Sequence, residues 1–485
     1  MKEVVLGIDI GTTSTKGIIY SSDLRPLLTE NVSYPLYQDE DGMAEQDPDE
    51  IFETVLQIIK KLSQVAKVEN YEIKSIGFSS AMHSLIVLDE MKKPITRSIT
   101  WLDNRSMMWS DWLKTSGKGL EFYLRTGTPT HAMSPLSKLL WLKEVEPSLL
   151  SQGHYFLGIK EYIMLQLFDE FVCDYSLAGG TGLFNINEMA WDEEILALLG
   201  ISTSQLPQVV APKTAYRQLV QGIKEELALP AKTPFIIGAS DGCLANLGSG
   251  AKENTQAVVT VGTSSAIRLT TDRPILDPLG RTFCYPLSDG QWVVGGASNN
   301  GGNIFQWALE LTKQEGDYQG ALKKAEAAGN GAAGLIFLPY LNGERAPLWS
   351  EKATGSLIGL RSIHQEQDIL RAALEGIFFN LAELLAVIKE QLHQPQELIL
   401  NGGLFQGELP KKLGRTILNL PTRIPENIES SCLGAAILGA EAVNFEVSLH
   451  HHKSQHLIPV NQRQQVEYQE IYQKYQGLNK LLNNY

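Results

Sequence analysis

Gly7-Ile-Asp-Ile-Gly11-Thr-Thr-Ser-Thr-Lys-Gly-Ile-Ile-Tyr20 decides the fold of this chain. An apolar run enters a Gly-Thr-Thr-Ser turn and a second apolar run leaves it, which reads as strand, tight turn, strand. Gly11 lets the backbone approach a bound group closely. Thr12, Thr13 and Ser14 surround that point with N–H and hydroxyl donors. Asp9, near the end of the first strand, is a hard oxygen ligand suited to a Mg²⁺ ion carried on phosphates. A nucleotide triphosphate tail needs such a turn with a carboxylate nearby. It is not a Walker A loop, because no Gly-Lys-Ser/Thr follows at the required spacing. The competing reading is an ordinary hairpin whose Thr and Ser merely favour turns.

A second copy decides between them. Val258-Val-Thr-Val-Gly262-Thr-Ser-Ser-Ala-Ile-Arg-Leu269 repeats apolar strand, Gly-Thr-Ser-Ser turn and apolar strand about half a chain later. One such hairpin per half suggests a duplicated fold that grips one nucleotide from both sides. In this the chain resembles the actin-like, ribonuclease-H-like ATPase superfamily. The resemblance implies two α/β domains with a nucleotide and substrate cleft between them.

At 485 residues the chain exceeds the size at which a single core keeps growing, so two domains are expected. The buried run Pro234-Phe-Ile-Ile-Gly-Ala239 ends at Ser240-Asp241-Gly242, and the boundary is placed just after it, giving domains of 1–246 and 247–485. A hydrophobic content of 43% with 20% charged residues is that of a globular protein. The formal net charge of −14 argues against nucleic acid or an anionic membrane as main partner. Cys173, Cys243, Cys284 and Cys432 are scattered without a Cys-x-x-Cys pair, which reads as reduced thiols. With no signal-peptide pattern and no apolar stretch near the ~18 residues of a membrane span, a cytoplasmic location is expected.

Asp47-Pro48-Asp49-Glu50 reads as a helix start, and the apolar spacing carries that helix over roughly 48–66. Residues 73–78 and 85–88 read as strands flanking Ser79-Ser-Ala-Met-His-Ser84. In the second half a long helix is expected over about 367–392. It is followed by a strand at 397–400 that runs into Asn401-Gly402-Gly403. A tail helix over 464–482 is expected to pack on the second domain. His450-His451-His452 reads as a solvated loop rather than a metal site.

Asp241 is the sharpest chemical candidate. It follows an apolar strand and precedes Gly242, so its carboxylate projects from a strand end beside bare backbone. A carboxylate there can take the proton from a substrate hydroxyl attacking a γ-phosphate; a helix cap is the plainer reading. Over residues 3–445 the chain resembles the FGGY carbohydrate kinases, which phosphorylate sugars and polyols with ATP. The resemblance implies that Asp241 is the catalytic base and, with Gly242, borders the substrate. It implies that Gly11, Thr12, Thr13, Ser14, Lys16, Gly262 and Thr263 meet the phosphates. Gly302, and the adenosine-side turn Gly402-Gly403, fall to the nucleotide as well. Met82-His83 and Asn104-Arg105 match the family's sugar-side residues. At Gly407 the chain departs from relatives that carry Ser or Asn, which removes a side-chain contact to the nucleotide.

Within the family, segments such as Ser79–Ser84, Thr100–Arg105, Pro135-Leu-Ser-Lys138, Gly158–Tyr162, Asp174–Ala178 and Glu344–Trp349 are most similar to the gluconokinases. This implies D-gluconate as the small-molecule partner, with ATP and Mg²⁺, and Arg105, His83, Lys138 and Lys160 as candidates for cationic or donor groups around its carboxylate. For Lys138 and Lys160 a purely structural role is an equal alternative. A homodimer is compatible with the sequence. The alternatives are a kinase for xylulose, ribulose or another polyol, or an actin-like ATPase without sugar kinase activity, since fold alone does not fix function.

Overall fold

The computed structural model describes residues 1–482 apart from 228, 231, 252–253, 289, 393–394, 426–428 and 449–456, so His450-His451-His452 lies outside the described residues. Two compact units emerge. One comprises Met1–Gly250, Thr271–Val293 and Glu429–Lys453, and the other Ala251–Thr270, Val294–Ile428 and Ser454–Tyr485.

In the first unit, β1 (Lys2–Ile10), β2 (Ser14–Ser21) and β3 (Pro26–Ser33) form an antiparallel meander. A crossover through the helix Pro48–Val68 leads to β4 (Tyr71–Ser80), which pairs parallel with β1. The Asp47 side chain caps that helix by accepting from the Asp49 and Glu50 backbone N–H groups, and Ile51, Val55, Ile58, Ile59 and Leu62 are buried along it. β5 (Ala215–Tyr216) and β6 (Phe235–Ser240) complete a sheet of order β5-β6-β4-β1-β2-β3, with β6 parallel to β4.

The second unit repeats the scheme. β7 (Gln256–Val261) and β8 (Ser265–Thr271) are an antiparallel hairpin, followed by β9 (Gln291–Ser298). β10 (Glu397–Asn401) pairs parallel with β7, and β11 (Thr422–Arg423) parallel with β10, in the order β9-β8-β7-β10-β11. An antiparallel hairpin whose first strand pairs parallel with a strand after a helical crossover is therefore present twice. This is the duplicated actin-like, ribonuclease-H-like architecture. The long helix is Glu366–Gln391. The tail helix Gln462–Leu482 packs within the second unit: Tyr468 bonds Arg371 and Glu375, and Tyr340 donates to Asn479 at 3.0 Å. Among the described residues no helix is long and apolar enough to cross a membrane, and no disulfide joins the four buried cysteines.

The helix Ser430–Ala442 belongs to the first unit although it lies late in the chain. Its small residues let it sit almost on the sheet backbone. A Cβ at Gly7 would fall 2.0 Å from the Cys432 carbonyl oxygen, and one at Gly77 would fall 2.1 Å from that of Ala435. The neighbouring helix Asp241–Gly248 is as close: a Cβ at Gly248 would lie 1.9 Å from the Ser430 oxygen, and one at Gly434 2.1 Å from that of Leu244. Backbone cannot yield as a side-chain tip can, so Gly77→Ala is expected to destabilise the protein by about 1–3 kcal/mol through overpacking. Gly222→Ala, in the helix Gln221–Leu227 with no atom within 4 Å of the new Cβ, should be neutral or slightly stabilising. Urea midpoints of the two variants check this; equal midpoints would remove the close-approach argument.

Candidate active site

Register places three functional segments on one edge of the first sheet. Ile10 pairs with Ser80, and Ser80 with Ser240, across the parallel strands β1, β4 and β6. The residues that follow these strand ends are Gly11, Ala81 and Asp241. The Gly-Thr turn, the Met82-His83 loop and the carboxylate of Asp241 thus leave side by side at the carboxyl ends of neighbouring strands, where α/β folds place their ligands.

The first turn is held from outside itself. The Gly11 N–H donates to Ser14 O at 3.0 Å, Tyr34 Oη donates to Gly11 O at 2.5 Å, and Gln46 Nε2 donates to Thr12 O at 2.5 Å. Trp101 Nε1 donates to Thr12 Oγ1 at 2.8 Å, which ties the turn to the Trp101–Arg105 segment. Tyr34 and Gln46 carry no local signal of this role, because their partners lie 23 and 34 residues away. Lys16 Nζ meets Glu429 at 2.6 Å. Glu429, at the start of the helix Ser430–Ala442, makes no side-chain cap bond there.

Asp9 accepts from Ser79 Oγ at 2.6 Å. Burial, then the nearby Asp241 and Glu429 carboxylates, push its pKa up to about 7 against the pull of Ser79 and Lys16. This is a site short of positive charge. Among the described residues no three His, Cys, Asp or Glu side chains are grouped to hold a metal alone. Asp9 therefore fits a Mg²⁺ ion that arrives with most of its ligands, as one carried on phosphates does.

In the loop after β4, Met82 is buried and His83 adopts a left-handed backbone with φ of 68°. His83 Nδ1 donates to Gly180 O at 2.6 Å, which fixes the tautomer, since a carbonyl only accepts. A side chain at Gly180 would strike Met82 Cε, at 2.4 Å. Lys138 is fully buried, and its Nζ donates to His83 O at 2.6 Å, Thr100 O at 2.7 Å and Ile99 O at 3.2 Å. One ammonium thereby clamps the Met82-His83 loop and the Trp101–Arg105 segment together. Burial lowers its pKa to about 7, with Asp103 opposing and Arg105 reinforcing the shift. Lys138 is part of the frame and not a group facing substrate, as is Lys160, which pairs with Asp174 at 2.6 Å inside the unit.

Arg105 is gripped by Asp103, with Nε at 3.0 Å and Nη2 at 2.7 Å from Oδ2, and its Nη2 also meets Glu45 at 2.5 Å. Its guanidinium lies 4.5 Å above the Trp141 ring. Burial opposes its charge, but Asp103 and Glu45 outweigh that and raise its pKa. Among the described residues Nη1 makes no hydrogen bond. Asn104 is exposed and held by its backbone N–H to Gly42 O at 2.9 Å. Asp241 opens the helix Asp241–Gly248, whose cap is Ser240, and its Oδ1 accepts from the Gly242 N–H at 2.6 Å. The plainer cap reading thus falls to the residue before it.

In the second unit, Gly262 N–H donates to Ser264 O at 3.0 Å, and the Gly302 and Asn303 N–H groups donate to Gly262 O and Thr263 O at 2.7 and 3.1 Å. Thr260 pairs with Asn401 across β7 and β10, so the Gly262-Thr263 and Gly402-Gly403 turns leave the same sheet edge. Gly402 has φ of 105°, and a Cβ there would lie 2.4 Å from Val261 O, so only glycine fits. Glu344, fully buried, was visible in the sequence only as part of a motif. It accepts from Asn380 Nδ2 at 2.6 Å, Ser298 Oγ at 2.8 Å and the Arg345 N–H at 2.8 Å. That bonding braces residues 298–300, which lead into the Gly301-Gly302 helix start.

The shift at Asp9 sets a pH dependence. Because its folded value lies above the ordinary 3.8, the folded protein holds this proton more tightly than the unfolded chain. The contribution is fullest below that value and is lost as pH rises towards about 7. Asp9→Asn should therefore melt a few degrees above wild type at pH 8, and the gain should shrink as pH falls towards 5. A pH-independent difference in thermal scans would remove Asp9 as the source.

Residues 4–248 match the N-terminal domain, and residues 257–443 the C-terminal domain, of the FGGY family of carbohydrate kinases. The chain is 40% identical to a gluconokinase of Bacillus licheniformis, over 100% of this chain and 97% of that one. It is 42% identical to a gluconokinase of Bacillus subtilis, over 91% and 88%. Among solved structures, a gluconate kinase from Lactobacillus acidophilus matches with a TM-score of 0.94 at 35% identity, covering 100% and 99% of the two chains. A ligand-bound xylulose kinase from the same organism matches with the same score and identity over 99% and 98%. With both domains matched, in order and nearly end to end, the chain belongs to the FGGY family of carbohydrate kinases.

Proposed function

We propose that this protein transfers the γ-phosphate of ATP to the terminal hydroxyl of D-gluconate, giving 6-phosphogluconate. The observation that carries the reading is the alignment of Gly11, Ala81 and Asp241 past adjacent strand ends. It brings the donor-lined Gly-Thr turn, the Met82-His83 loop and a carboxylate to one edge. The full-length likeness to gluconokinases supports the choice of substrate.

In this mechanism the hydroxyl oxygen attacks the γ-phosphorus while the Asp241 carboxylate takes its proton. The bond from phosphorus to the β–γ bridging oxygen breaks, and ADP leaves with that electron pair. Little base strength is needed in so loose a transition state, and position matters most. Gly11, Thr12, Thr13, Ser14 and Lys16 are assigned to phosphate oxygens, as are Gly262, Thr263 and Gly302, and Gly402-Gly403 to the adenosine. Asp9 would hold the Mg²⁺ that accompanies ATP, and the ion would supply charge neutralisation at the phosphates. Met82, His83 and Asn104 border the polyol, and Gly242 leaves bare backbone beside it. Arg105 meets the far carboxylate through Nη1, its orientation already fixed by Asp103 and Glu45.

A kinase for xylulose is the second reading, favoured by the equal likeness to a structure of that name. ADP release measured across gluconate, xylulose, ribulose and neutral polyols decides between them: gluconate should lead, and a preference for xylulose would sink the assignment. Asp241→Asn should lose orders of magnitude in kcat while still binding ATP; near-normal turnover would end the base role.

Arg105→Ala should raise the gluconate KM roughly ten- to hundredfold, as expected for losing a charge-assisted contact of ~1.5–3 kcal/mol. A neutral polyol of equal length should suffer far less. Equal losses on both would take Arg105 out of this role.

A further inference from the structure

A chain of buried polar groups ends at the two residues before Asp241. Lys160, from the helix Ile159–Phe168, is 1% exposed, and Asp174, Ser176 and Ser240 are fully buried. Lys160 Nζ lies 2.6 Å from Asp174 Oδ2 and donates to Ala239 O at 3.2 Å. Asp174 Oδ1 accepts from the N–H groups of Ser176 at 2.9 Å and Leu177 at 3.1 Å, capping the short helix Tyr175–Gly179. Ser176 Oγ in turn accepts from the Ser240 N–H at 3.2 Å and shares a 2.7 Å hydrogen bond with Ser240 Oγ. Ser240 Oγ accepts from Cys243 N–H at 3.4 Å as the cap of the helix that Asp241 begins.

We propose that Lys160 and Asp174, acting through Ser176, Ser240 and the Ala239 carbonyl, are positioning residues that hold the Asp241 carboxylate in register with the attacking hydroxyl. The inference rests on the reading of Asp241 as the base. Its physical ground is that a buried ion pair is seldom worth more to stability than an apolar pair of equal volume. What it does supply is direction. Ala239 O and Ser240 N–H are the opposite ends of one peptide unit, and each is bonded by a group that is itself bonded, so the peptide just before Ser240 cannot rotate alone. A carboxylate whose task is placement loses much from a shift of about 1 Å, up to a hundredfold in rate.

The test is a set of variants followed with γ-labelled ATP, which detects residual turnover. Lys160→Met and Ser176→Ala should each lower kcat about ten- to hundredfold, with KM for ATP and gluconate changed less than about threefold. Ser176→Ala leaves the ion pair intact and should melt within a few degrees of wild type, so it decides the matter if Lys160→Met does not fold. In the Asp241→Asn background neither change should cost more than about a further twofold, because a group that acts only through Asp241 has nothing left to position. Wild-type kcat in Ser176→Ala, or losses that multiply fully with Asp241→Asn, would overturn the proposal. Near-normal turnover of Asp241→Asn alone would overturn the base reading instead, whatever the other variants do.

Discussion

The close seat of the helix Ser430–Ala442 on the first sheet is the constraint from which the site follows. Where Gly7 and Gly77 meet the carbonyls of Cys432 and Ala435, the helix backbone lies in direct contact with strand backbone, and no side chain intervenes. The same helix packs Gly434 against the helix Asp241–Gly248. Three elements that carry Asp9, Asp241 and Glu429 are thereby drawn within reach of each other's charge, which is why two other carboxylates weigh on Asp9. A thicker interface would separate those charges and relax the crowding of carboxylates that raises the pKa of Asp9.

The candidate cations of the first unit fall into a buried pair and a part-exposed pair. Lys138 and Lys160 are spent on backbone carbonyls and on Asp174, inside the protein. Lys16 and Arg105, part-exposed, keep company with carboxylates near the surface. The first pair sets where loops and strand ends stand. Each of the second pair is oriented by a carboxylate, Lys16 by Glu429 and Arg105 by Glu45 and Asp103.

Much of this was legible in the sequence, and for a physical reason. Gly262-Thr263 repeats Gly11-Thr12, and each turn joins an antiparallel pair of strands. The helix 48–66 and the tail 464–482 were placed to within two residues at each end, since apolar spacing records a buried face. Asp241 could be singled out because strand, Ser-Asp-Gly and helix are contiguous. What could not be read depends on distant partners. Lys16 and Glu429 are 413 residues apart, and Lys138 bonds backbone oxygens that any sequence would supply. Glu344 looked like one residue of a motif, yet its meaning lies in Ser298 and Asn380.

The discontinuous first unit also has a consequence for how the protein is made. When Gly250 leaves the ribosome, the glycine-lined face of the first sheet still lacks its covering helix, which is encoded roughly 180 residues later. At about 5–20 residues per second, that face waits on the order of ten to forty seconds for its partner. The nascent chain must carry a sheet whose strands are all made but whose one face is uncovered through the synthesis of most of the second unit. The first-made half is thus completed only after most of the second unit has been made, and a chain that stops before the helix Ser430–Ala442 cannot complete it.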